Sequence, residues 1–280
     1  MTLLQLLDAL HALTPMRENT VDQILHGDPS HEIGRVATCW MPYLDTLERA
    51  YQAGCDTVVC HEPLFYSHRG WDNGEYCDVK DACEKRDLAH TLALYQAAVD
   101  DKRAFLTAHG MHVVRCHDAL DAVPGFGVPS ALGRVLGLNG LELVDESTYM
   151  RVYQLPQPRL CKDIARDFAQ RLAPLNQTEL CLYGDPEREI SAIGYGTGCC
   201  CDPLDLLNMG AEMVVAIHDI ARTWIHCSFA RDTGLPLLLI DHGTSEEPGV
   251  CELTDYLRDA LRLDALHLPQ GAGHISVKAE

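Results

Sequence analysis

Four histidine–acid pairs each follow a short apolar run. Val58-Val59-Cys60 leads into His61-Glu62-Pro63, and Val113-Val114-Arg115-Cys116 leads into His117-Asp118. Val214-Val215-Ala216-Ile217 leads into His218-Asp219, and Leu238-Leu239-Ile240 leads into Asp241-His242-Gly243. Imidazole and carboxylate without thiolate is donor chemistry for Zn²⁺, Mn²⁺, Fe²⁺ or Co²⁺. His117 and Asp121 stand four apart, as do His242 and Glu246. Just after a strand that interval spans one turn, so both side chains can face one point. A single histidine at a strand end serves equally well as a turn or capping residue, but four such pairs are harder to assign that way. Glu246 and Glu247 directly precede Pro248 and an expected helix from Val250. Placement near that helix dipole is the competing account of Glu246.

The elements that must position these pairs alternate between two periodicities. Strands are expected at 35–40, 57–60, 112–116, 179–183, 190–195, 213–217 and 237–240. Helices are expected at 43–53, 79–100, 129–136, 161–172, 203–209, 221–232 and 250–261, with a leucine-spaced helix at the N-terminus. Alternation of this kind is the signature of an α/β fold with a parallel or mixed sheet. Ligands of open α/β sheets bind beyond the carboxyl ends of strands. The four pairs therefore converge on one polar patch if their strands are neighbours. The Pro/Gly-rich stretch 124–129 reads as a turn and 156–158 as a linker between lobes. Residues 67–78 read as a polar loop beside His61, carrying His68, Arg69, Trp71, Asp72 and Tyr76.

Composition narrows the classes. Lys+Arg 22 against Asp+Glu 41 leaves a net charge of −19, which repels nucleic-acid phosphates and attracts cations. No apolar stretch approaches the roughly 20 residues that cross a membrane, and the N-terminal leucine run lacks a basic flank or cleavage site. Thirteen cysteines without a Cys-x-x-Cys read as reduced thiols in the cytoplasm. Cys199-Cys200-Cys201 reads as a redox or soft-metal site or, more ordinarily, as buried structural thiols. Gly194-Tyr195-Gly196-Thr197-Gly198 is either a phosphate cradle or a tight strand-to-helix turn. It lacks the spacings of the nucleotide-binding motifs, which favours the turn.

Several of these motifs resemble one family, the Nif-three-like proteins, a dinuclear-metal family often labelled type-two GTP cyclohydrolase. Cys60-His61-Glu62-Pro63-Leu64-Phe65-Tyr66 resembles its His-His-Pro motif. His117-Asp118-Ala119-Leu120-Asp121-Ala122 resembles its His-x-x-Leu-Asp-Ala segment. The glycine run resembles its Gly-rich turn, and Asp241-His242-Gly243-Thr244-Ser245-Glu246 its Gly-His-x-x-(Ser/Thr)-Glu motif. The resemblance implies two divalent ions (Zn, Fe, Mn or Co) held by His61, Asp121, His242 and Glu246. Glu62, standing where the family has a second histidine, would be the fifth ligand. It adds negative charge and hardens the site. The resemblance also implies two linked α/β lobes with mixed sheets, 1–140 with 235–280 and 141–234, and a hexameric ring. The metals would lie at the C-terminal ends of strands.

The expected activity is that of a metal-dependent hydrolase activating a metal-bound water on a small cyclic amide or nucleotide-like substrate. His117, Asp118 and His218 are then the acid/base or outer-layer residues, with Asp219 orienting one of them. Arg69 and Trp71 are the expected substrate-binding residues, one gripping an anion and the other stacking on a planar group. A surface loop or subunit contact is the competing account of 67–78. The rival function is a metal-trafficking or cofactor-assembly protein. The third is a scaffold with a vestigial site.

Overall fold

Short runs of β-branched residues and leucine without polar alternation are what a strand buried on both faces requires. The chain places such runs at the centre of two separate sheets. The computed structural model describes residues 1–68, 71, 78–275 and 277. It divides into two units, residues 1–123 with 250–268 and residues 124–249 with 269–280.

The first unit opens with α1 (Leu3–His11), β1 (Ile24–His26), β2 (Arg35–Cys39), α2 (Leu44–Gln52) and β3 (Thr57–Cys60). It continues through α3 (Asp78–Lys85), α4 (Ala89–Ala108), β4 (His112–Arg115) and α5 (Asp118–Ala122). The second unit holds α6 (Val128–Leu136), β5 (Glu142–Glu146), β6 (Met150–Leu160), α7 (Cys161–Leu172) and β7 (Cys181–Tyr183). There follow β8 (Glu189–Gly196), α8 (Pro203–Asn208), β9 (Met213–Ile217), a π-helical turn (Thr223–Cys227), α9 (Ser228–Thr233) and β10 (Leu237–Ile240). Helix α10 (His242–Asp259) begins in the second unit and ends in the first, to which β11 (Asp264–His267) belongs.

Both sheets are mixed. In the first unit the order is β1-β4-β3-β2-β11, with only β1 antiparallel to its neighbour. In the second it is β5-β6-β8-β9-β10-β7, with parallel pairing confined to β8-β9-β10. Val58, Val113, Leu47, Leu106 and Trp71 belong to the first core. Leu132, Phe168, Ile193, Val215 and Leu238 belong to the second. No described helix is long and apolar enough to cross a membrane.

Several expectations are corrected by pairing. Residues 156–158 are no linker. They lie inside β6, where the register against β8 slips between Gln154 and Arg159, a bulge that accommodates Pro156 and Pro158. The long helix expected at 79–100 is two helices, separated at a turn where Asp87 takes φ 53. Helix α10 starts at His242 rather than near Val250 and carries Pro248 within it. The division between units also falls elsewhere than expected. Leu132 and Leu136 of α6 pack in the second core, and β10 pairs with β9 and β7, so both elements join that unit.

Candidate metal centre

In the first unit, parallel pairing of β3 with β4 sets Cys60 opposite Arg115, so the next residues, His61 and Cys116, emerge side by side. His61 is 1% exposed, and its Nδ1 lies 3.1 Å from the Cys116 carbonyl oxygen. A carbonyl only accepts, so Nδ1 carries the proton and Nε2 is the lone-pair atom. That Nε2 stands 3.6 Å from Asp121 Oδ1. His117 stacks on His61 with ring centroids 4.5 Å apart, and its Nδ1 lies 3.3 Å from Asp118 Oδ1 and 3.4 Å from Asp121 Oδ2. The buried Glu62 faces His68, Oε2 to Nε2 at 3.7 Å. His61, Glu62 and His117 each bring a donor atom within 4.8 Å of the others, a spacing one ion can bridge.

Charge follows that crowding. Burial and the His61 ring act to lower the His117 pKa, but Asp118, Asp121 and Glu62 outweigh them and hold it above its ordinary value. Burial raises the Asp118 carboxyl. Hydrogen bonds from His117, Thr20 and the Val21 N–H more than offset this and hold it below the usual carboxylate range.

In the second unit, Ile240 pairs with Ile217, which puts His218 and Asp241 at adjacent strand ends with 3.9 Å between Nε2 and Oδ1. His242 Nδ1 lies 2.8 Å from Asp219 Oδ2, so this ring too is held through Nδ1 by an acceptor. Its Nε2 faces Glu246 Oε1 at 3.0 Å, one helical turn on. The helix places both acids differently from their expected position ahead of it. Glu246 stays at the donor group, while Glu247 accepts from the backbone N–H groups of Gln270 and Gly271.

The glycine run ends beside these donors. Gly194 and Gly196 lie in β8, and a Cβ at Gly196 would stand 2.2 Å from Cys201 Cβ. Gly198 has φ +66, and a Cβ there would lie 3.0 Å from Glu246 Oε1. The run is glycine because backbone passes close to side chains. Cys201 is buried, donates to the Gly198 carbonyl at 3.1 Å and is pushed up to about 12 by burial, with Glu246 adding to the effect. It is a protonated structural thiol. None of the described cysteines forms a disulfide.

A family model described as Duf34/NIF3 (NGG1p interacting factor 3) matches residues 93–269, more than half of the chain. The chain belongs to the Duf34/NIF3 family. A protein of Streptomyces coelicolor named GTP cyclohydrolase 1 type 2 homolog is 27% identical over 263 residues, covering 89% of this chain and 82% of that protein. Among solved structures, a Staphylococcus aureus hypothetical protein matches with TM-score 0.74 at 17% identity, covering 99% of each chain. A reduced HcgD from Methanocaldococcus jannaschii matches with TM-score 0.69 at 15% identity, covering 96% of this chain and 98% of that one. These likenesses show the fold of two mixed α/β sheets.

For this Duf34/NIF3 chain the expected site residues fare unequally. His61, Glu62, His117 and Asp121 come together in the first unit, and His242 and Glu246 in the second. The four strand ends fall into two adjacent pairs, because β3 and β4 pair in one sheet and β9 and β10 in the other. Trp71, expected to stack on substrate, is 1% exposed in the first core, with its Nε1 donating to Gln96 Oε1 at 2.7 Å and the Lys80 ammonium over its ring. Its surroundings support packing instead. Arg69, Asp72 and Tyr76 lie outside the described residues. Sequence reading missed Asp22, whose carboxylate accepts the backbone N–H groups of His117, Asp118 and Ala119. No local pattern marks an acid that acts on a turn so far along the chain.

Proposed function

We propose that this protein is a metal-dependent hydrolase with two divalent ions per chain, with His61, Glu62, Asp121, His242 and Glu246 as the ligands. One observation carries the reading. Each of the two histidines has Nδ1 engaged by an oxygen acceptor and Nε2 turned toward a carboxylate, the outer-layer arrangement that orients metal-binding imidazoles. The donor set is nitrogen and oxygen throughout, which fits Zn, Fe, Mn or Co.

Bound there, divalent ions would polarise a carbonyl or phosphoryl oxygen and lower the pKa of a water toward neutrality. The chain's own residues do the rest. Asp118 engages Thr20, Val21 and His117, so it orients the His117 ring rather than trading protons itself. His117 is then the residue that moves a proton, with the half-exposed His218 as the second acid/base group. Arg69 is the anion-gripping residue of the substrate pocket. A small cyclic amide or nucleotide-like substrate fits this chemistry, and the name of the Streptomyces relative favours the nucleotide. The protein assembles as a hexameric ring in the cytoplasm.

The test is elemental analysis of the native protein, followed by a screen of lactams, amides, phosphoesters and nucleotides with and without the metal found. Close to two ions per chain and metal-dependent turnover are expected. Less than one ion per chain after reconstitution overturns the reading. Bound ions that pass freely to a chelator, with no substrate turned over, put a metal carrier in its place.

A further inference from the structure

Helix α5 is short and begins without a cap of its own, since the His117 side chain at its N-cap makes no capping bond. Its first N–H groups still need acceptors. They find them in the buried carboxylate of Asp22. Oδ1 accepts from His117 N–H at 2.6 Å and Asp118 N–H at 2.9 Å, and Oδ2 accepts from Ala119 N–H at 2.9 Å. The bonding is reciprocal. Asp118 Oδ2 accepts from the Thr20 hydroxyl at 2.9 Å and from Val21 N–H at 3.1 Å, while Asp22 N–H donates to Thr20 Oγ1 at 3.1 Å. The fully buried Arg115 adds a third tie. Its Nε donates to the Val21 carbonyl at 2.6 Å, and its Nη2 reaches both that carbonyl and the carbonyl of His68.

Three consecutive residues therefore grip the turn carrying His117 and Asp121 from two sides. Through Arg115 they are joined to His68, whose ring faces Glu62. We propose that Thr20, Val21 and Asp22 form a positioning clamp that sets the direction of His117 and Asp121 before a metal arrives. The clamp rests on the metal-binding reading above. Its residues touch no metal and act only through the turn they hold. A mere stability role would lower the unfolding temperature and leave the affinity of the folded protein alone.

The experiment titrates the full-length, metal-stripped protein with Co²⁺, followed by its visible absorption, alongside thermal unfolding without metal. The variants are Asp22→Ala, Asp22→Asn, Thr20→Val and Thr20→Ser, with His61→Ala and Asp121→Asn as controls. Asp22→Ala and Thr20→Val should weaken Co²⁺ roughly 10- to 100-fold, as loss of outer-layer partners does, and alter the absorption band. Thr20→Ser should restore both, and Asp22→Asn, which keeps one acceptor oxygen, should fall between. Thr20→Val removes a single hydroxyl, so it carries the test if Asp22→Ala does not fold. Parent affinity and spectrum in Asp22→Ala and Thr20→Val, with binding lost in His61→Ala, overturn the clamp and leave the metal reading standing. A lowered unfolding temperature with unchanged affinity also overturns it. Parent-like binding in His61→Ala and Asp121→Asn removes the metal reading and the clamp together.

Discussion

The two sheets each bring a pair of parallel strands to adjacent ends bearing histidines and acids, but the two ends are built differently. In the first unit His61, Glu62 and Asp121 are all buried, and the turn behind them is bonded through its backbone to Asp22. In the second, His242 depends on Asp219, whose side chain is 54% exposed, and only Glu246 is enclosed. Backbone hydrogen bonds to a buried carboxylate leave little freedom, whereas a solvated partner leaves an imidazole able to swing. The turn behind the first group is thus held by buried bonds, and His242 of the second by a bond to an exposed partner.

That contrast is broken or sharpened by measurement. The largest expected effect is at His61, where His61→Ala should weaken Co²⁺ binding by roughly 100-fold or more, about 2.7 kcal/mol. His242→Ala should cost roughly tenfold, about 1.4 kcal/mol. Equal losses by calorimetric titration would erase the distinction between the two groups.

Enclosure of the first group also predicts a pH effect through Lys102. This buried ammonium donates to the Leu64 carbonyl at 2.9 Å, just past Glu62, and burial lowers its pKa to about 8 from 10.5. Between those values the unfolded chain holds the proton and the folded chain does not, so stability rises as pH climbs from about 8 to about 10.5. Denaturant unfolding should show that rise, on the order of 2–3 kcal/mol, in the parent relative to Lys102→Met. Parallel pH profiles for the two proteins would show that the amine keeps its proton.

The second group offers a smaller test. Gly198→Ala adds a Cβ at positive φ and 3.0 Å from Glu246 Oε1, while Gly210→Ala adds one at φ +97 with nothing within 4 Å. Both should lose about 1 kcal/mol of stability from backbone strain. Only Gly198→Ala should also weaken Co²⁺, by several-fold, and equal affinities would mean the turn does not shape the donors. Smallest is Asp219→Asn, which keeps an acceptor at an exposed position. A change in Co²⁺ affinity of about threefold or less, roughly 0.7 kcal/mol, is expected. A loss as large as that of His242→Ala would show the second group to be as rigid as the first.

Local signals were legible without coordinates. His61, His117, His218 and His242 follow apolar runs that become β3, β4, β9 and β10, because a strand buried on both faces needs uninterrupted apolar side chains. The interval from His242 to Glu246 also announced itself, since one helical turn aligns residues four apart whatever lies around them. Strands β1, β5, β6 and β11 carried no comparable mark. Glu142–Glu146 is exposed throughout and is a strand only because β6 lies beside it. The prolines of β6 read as a break until the register slip gave them room.

Residue types and short spacings therefore determined which side chains offer nitrogen and oxygen donors and which of them share a helical turn. Tertiary structure alone decided the company they keep. It set β3 beside β4 so that His61 Nδ1 donates to the Cys116 carbonyl oxygen, and it carried Asp22 across 95 positions to cap the turn of His117. It also buried Trp71 in the first core. The reason is one of range. A strand's burial pattern and a helix's period are properties of neighbouring residues, while an acceptor for a buried N–H is any oxygen the packed chain brings within 3 Å or so.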